Sequence, residues 1–182
     1  NNNNNNNDLN HYKHYSISGT GKRSAVHMKT NTGHILQSDV PKKMGGDDSA
    51  PQPVELLLAA LLGCTQATAV YVGRNMNPRL IIDRIEFDNM EAYRDERGAL
   101  LLEQPSDNIM DGGFPNVPAR LLRVGGTVRV HFKGKQGSME KEVSEEQLRI
   151  LGEQTEARCP VANMMHASGC EMDLQWINGS GS

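Results

Sequence analysis

Three cysteines, Cys64, Cys159 and Cys170, are the residues of this chain best able to do covalent chemistry. Cys64 lies near the end of "PVELLLAALLGCT", an almost wholly apolar run with one carboxylate, Glu55, near its start. A thiol is a nucleophile only as its thiolate, and apolar surroundings raise its pKa. Cys64 is therefore either a small buried hydrophobe, common for free cysteine, or a reagent kept dry beside a cation. Cys159 directly precedes Pro160 and so stands at a helix N-terminus, where the dipole lowers a thiol's pKa. Cys170 opens "CEMDLQW", whose alternation sets it with Met172, Leu174 and Trp176 on one strand face, as core.

Other chemistries find less support. Glu55 reads most simply as a first-turn carboxylate meeting the positive end of a helix dipole. Cys159, His166 and Cys170 are zinc-ligand types, but their spacing fits no tight knuckle and a fourth ligand is missing. The Gly-Gly of "KKMGGDD" is no phosphate loop, because no Lys-Ser/Thr follows it. An odd number of widely spaced cysteines argues against a disulfide framework and for a reducing compartment.

The elements that must position these residues can be placed by pattern. Residues 11–38 are polar and β-leaning, broken into hairpins at "SGTGKR" and "TNTGH". A Gly-, Asp- and Pro-rich loop leads to Pro53, which begins a helix reaching about Gly73–Asn77. Apolar residues lie all round that helix, which predicts burial on every side and a dimer that wraps it. "RLIIDRIEFDNMEAYRDE" and "GGTVRVHFKGK" read as strands, separated by a Gly- and Pro-rich excursion over 99–122. Ser144 caps an amphipathic helix, Pro160 starts a short second one, and "CEMDLQW" is a last strand. Antiparallel strands with helices grouped between them make an α+β fold.

Composition bounds the partners. The 182 residues are 37% hydrophobic and 23% charged, with net charge −3 and pI about 6.1, so there is no electrostatic footprint for nucleic acid. No uninterrupted run of 18 apolar residues suggests a membrane span. "NNNNNNNDLN" lacks the order of a signal peptide, which points to the cytoplasm. Residues 1–10 and 178–182 read as flexible ends around one domain, 11–177.

"GGDDSAPQPVELLLAALLGC", followed much later by "RCPVANMMHASG", resembles the OsmC/Ohr family of thiol-dependent hydroperoxide reductases. The likeness runs from about Lys13 to Ile177, in the branch whose helix opens "PVELLLAAL". The resemblance implies antiparallel sheets wrapped around two central helices in an intertwined homodimer. It implies reduction of organic hydroperoxides with Cys64 as peroxidatic and Cys159 as resolving cysteine. An arginine about twenty residues before the Gly-Gly loop activates the thiol in the family, and Arg23 stands at that distance. No bound cofactor or metal is implied, only an external dithiol or lipoyl-type reductant.

The family's peroxidases carry a glutamate directly after the proline. Here Val54 takes that place and Glu55 comes one residue later, about 100° further round a helix. This departure leaves Glu55 as a possible supporting residue. It also favours an alternative, a dimeric binding protein for a small apolar or thiol-reactive ligand without peroxidase turnover.

Overall fold

The computed structural model describes residues 12–97, 117–133 and 143–179. The Asn-rich start, most of the 99–122 excursion and residues 180–182 lie outside the described residues. The chain divides into two compact units, residues 1–57 and 58–182.

The first unit is a meander of β1 (Ile17–Lys22), β2 (Ala25–Thr30) and β3 (Ile35–Ser38), antiparallel throughout. Lys22 pairs with Ala25, so Arg23 and Ser24 alone form the first turn. Two-residue hairpin turns call for positive φ, and Arg23 adopts φ 54° there. Ile17 and Ile35 are exposed on this sheet, whereas Ser38, at the end of β3, and Asp39, just after it, are buried. A 3₁₀ turn over Lys42–Met44 follows, closed by Gly45 at φ 87°.

α1 (Pro53–Asn75) begins in this unit and runs into the second. Pro53 at its first turn lacks the N–H that a helix start cannot use. The Glu55 carboxylate accepts the Gln52 N–H at 2.7 Å, which completes the start. Only one stripe of the helix is buried: Leu61, Thr65, Ala69, Val72 and Gly73. Ala60, Gly63, Ala67 and Tyr71 lie exposed on the opposite face. Burial on every side therefore does not hold within one chain, because the sheet and helices of the second unit can cover only one flank. By length and composition alone α1 would also suffice to cross a membrane, but Val72 is built into the chain's own core.

The second unit sets β4 (Ile82–Arg94), β5 (Leu121–Phe132) and β6 (Glu171–Asn178) in the order β4-β5-β6. β4 and β5 are antiparallel, but β5 and β6 are parallel, contrary to an all-antiparallel sheet. The reason is the pair of helices between them, since a parallel neighbour needs a long crossover and helices supply it. These are α2 (Glu145–Arg158) and α3 (Pro160–Ala167). Ser144 and Gln147 form a reciprocal capping box at the start of α2.

Alternation along β5 aims Val128 and Val130 into a core shared with Val72, Leu80, Leu148 and Leu151, with Phe87, Leu174 and Trp176 packed against it. Gly152 lets α2 approach the sheet closely. A Cβ there would lie 2.7 Å from the Trp176 ring, too near for any side chain.

Candidate functional site

Cys159 occupies the corner between α2 and α3, as last cap of one helix and first cap of the other. Its N–H donates to Thr155 O at 2.9 Å and ends α2. Pro160 forces a restart rather than a continuation. The Cys159 sulfur then accepts the Ala162 N–H at 3.4 Å, as a capping serine oxygen would. Asn163 locks this corner by donating its carboxamide to the carbonyls of Glu156, Ala157 and Cys159 at 2.9–3.1 Å. The Glu156 and Ala157 carbonyls lie in the last turn of α2, where helix carbonyls lack intrahelical partners, while Cys159 O also accepts the Asn163 backbone N–H at 2.9 Å.

The structure brings Cys64 and Cys159 together. The half-buried Cys64 thiol, reaching from α1, lies near enough to the fully buried Cys159 thiol to act on its ionisation. All three cysteines are free thiols. Burial pushes the Cys159 thiol above its usual pKa, and the Cys64 thiol adds to the rise. The N–H groups of Ala162 and Val161 pull the other way and lose. The helix N-terminus thus acts in the direction its position predicts, but desolvation of a fully enclosed sulfur outweighs it.

Cys170 is also buried, just before β6, and burial raises its thiol despite the nearby Arg120 guanidinium. It occupies the core position that its alternation predicts. Among the described residues no group of three His, Cys, Asp or Glu could hold a metal, so Cys159, His166 and Cys170 assemble no zinc site.

Arg23 is exposed on the β1–β2 turn and belongs to the first unit, while Cys64 and Cys159 belong to the second. Glu55 is engaged at the start of α1 through the Gln52 N–H. Two residues escape sequence reasoning. Asn163 carries no signal, because a carboxamide after a helix start is unremarkable. Asp39 is one of three aspartates within ten residues, and nothing local distinguishes it from Asp47 or Asp48. Yet Asp39 is fully buried, and its carboxylate accepts bonds from Ser24 Oγ, Ser49 Oγ and the N–H groups of Val40, Asp47 and Ser49.

A profile of the OsmC-like protein family matches residues 46–175, which include both paired cysteines and the helix corner. This chain belongs to the OsmC-like family. Among solved structures, an OsmC-like protein of unknown function from Vibrio cholerae is similar at TM-score 0.64 and 13% identity, covering 91% of this chain and 100% of its own. An OsmC-like protein from Mycoplasma pneumoniae reaches 0.62 and 17%, over 91% and 97% of the two chains. An organic hydroperoxide resistance protein from Elizabethkingia anophelis reaches 0.56 and 18%, over 92% and 97%. At these identities the likeness is one of fold. No curated protein matches the chain.

Proposed function

We propose that this OsmC-like protein reduces organic hydroperoxides with Cys64 as nucleophile and Cys159 as resolving thiol. The observation that carries the reading is the pairing of the two thiols at the α2–α3 corner, one half-exposed and one enclosed. The Cys64 thiolate attacks the distal peroxide oxygen, the O–O bond breaks, and the alkoxide leaves with a proton as alcohol. Cys64 is then a sulfenic acid. The Cys159 sulfur displaces its hydroxyl as water to form a disulfide. An external dithiol, of lipoyl type in this reading, restores both thiols and is itself oxidised to a disulfide.

The raised pKa of Cys159 fits this division of labour. Cys159 stays a neutral thiol while Cys64 is reduced, and reacts once Cys64 has become electrophilic. Arg23 serves as activator, since a guanidinium can donate to and polarise the peroxide oxygens. The apolar α1 around Cys64 favours an organic peroxide over hydrogen peroxide. The working form is a homodimer in the cytoplasm, where a reducing milieu keeps the pair as thiols.

Cys64→Ser removes turnover with an organic hydroperoxide entirely. Cys159→Ser lets Cys64 oxidise once, and the sulfenic acid is trapped by dimedone and read by mass. Full activity in Cys64→Ser would refute the assignment of nucleophile.

One observation favours a second reading. Val54 fills the glutamate position of the family's peroxidases, and Glu55 is spent on the helix start. On that reading the dimer binds a small apolar or thiol-reactive ligand without turnover.

A further inference from the structure

The hydrogen bonds around Asp39 join three parts of the first unit that the sequence keeps apart. Its carboxylate accepts the Ser24 hydroxyl at 2.7 Å, and Ser24 is the turn residue next to Arg23. The same carboxylate holds the Gly-Gly loop through Val40 N–H at 2.8 Å, Asp47 N–H at 3.1 Å, Ser49 N–H at 3.1 Å and Ser49 Oγ at 2.9 Å. Its own backbone N–H donates to Pro51 O at 3.1 Å, just before α1, the helix that carries Cys64.

The loop is shaped to permit this. A Cβ at Gly46 would lie 1.9 Å from Val40 O and 2.8 Å from the Asp39 carboxylate, so only glycine fits there. The Gly-Gly loop therefore has a task that the sequence pattern leaves open, which is to close over a buried carboxylate. Among the described residues Asp39 has no Lys or Arg in an ion pair, and only oriented dipoles satisfy its charge. Such a joint is directional, and a full set of donors keeps a buried charge in place. The Ser24 hydroxyl is the strongest of the influences holding the Asp39 pKa far below the carboxylate range, ahead of the Ser49 and Val40 N–H groups.

Arg23 itself sits at φ 54°, the left-handed region that its two-residue turn calls for and that a residue with a side chain adopts uncommonly. The bond from Ser24 to Asp39 is what ties that turn down.

We infer that Asp39 is the positioning residue for Arg23, fixing the Arg23–Ser24 turn to the Gly-Gly loop and the start of α1 through the Ser24 hydroxyl. The inference rests on the reading of Arg23 as activator of Cys64. It makes the turn a rigid mount rather than a mobile hairpin tip.

The test is a double-mutant cycle on the full-length protein, with single-turnover oxidation of Cys64 by cumene hydroperoxide followed by quenched-flow mass. Ser24→Ala removes one hydroxyl and leaves the loop bonds of Asp39 intact, so folding is retained. It slows Cys64 oxidation by about tenfold when Arg23 is present, and by less than about twofold in an Arg23→Gln background. Ser24→Thr, which keeps the hydroxyl, restores the rate. Equal slowing in both backgrounds would overturn the inference, because the effect would then not run through Arg23. So would a wild-type rate in Ser24→Ala while Arg23→Gln is slow. If Arg23→Gln reacts as fast as wild type, or if the wild-type chain does not react, the activator reading fails and the inference falls with it.

Discussion

At the scale of single residues, the account rests on two sulfurs whose surroundings differ. Cys159 is wholly enclosed and its thiol is raised, first by burial and then by Cys64. A raised pKa means that the folded chain holds the Cys159 proton more tightly than the unfolded chain does. The matching stability is fully present below the unfolded thiol value of about 8.5 and is lost as pH rises through the folded value. Cys170 is raised by burial as well and acts with the same sign. Reduced protein is thus expected to lose stability in denaturant titrations as pH rises above about 8.5. Cys159→Ser should lessen that loss, because serine does not ionise there. An equal alkaline loss in wild type and Cys159→Ser would exclude Cys159 as a source. The partnership of Cys64 and Cys159 could not be read from spacing, because it depends on how α1 meets a corner far along the chain. The enclosure of Asp39 was equally hidden, since Asp39, Asp47 and Asp48 share one loop and only the fold selects among them.

At the scale of elements, local signals carried well. Ser144 begins α2 as its capping pattern foretold, Pro160 restarts the chain as α3, and β5 buries Val128 and Val130 as its alternation required. What failed was pairing. The direction of β6 against β5 follows from the two-helix crossover, and an assumption of antiparallel runs passed over that constraint. The core under the sheet depends on α2, whose Leu151 is fully buried among Val128, Val130 and Leu148. Leu151→Ala should cost about 2–5 kcal/mol in urea unfolding. It should also slow disulfide formation, since α2 carries Cys159 at its end. A loss below about 1 kcal/mol would show that the packing between α2 and the sheet contributes little.

At the scale of the whole molecule, the open question is the outer face of α1. Ala60, Gly63, Ala67 and Tyr71 form an exposed stripe opposite the buried one, and a Cβ at Gly63 would meet nothing within 4 Å. Within one chain, Gly63→Leu therefore introduces no clash, and it replaces a poor helix former with a good one. If a second copy covers this face, the same change obstructs it. Gly63→Leu should then shift the protein from dimer to monomer in light scattering while its helical circular dichroism is retained. An unchanged mass would place the dimer contact elsewhere or remove it. The apolar character of α1 was legible in the sequence, but which flank stays open was not, because that depends on the sheet packed against it.

The central claim, that Cys64 and Cys159 work as a redox pair, is tested most directly by intact-mass and peptide mapping of reduced protein after one equivalent of an organic hydroperoxide. The account predicts rapid loss of two hydrogens per chain and a Cys64–Cys159 disulfide, with Cys170 still free. Untouched thiols in protein shown to be folded and dimeric would contradict it and favour the binding protein.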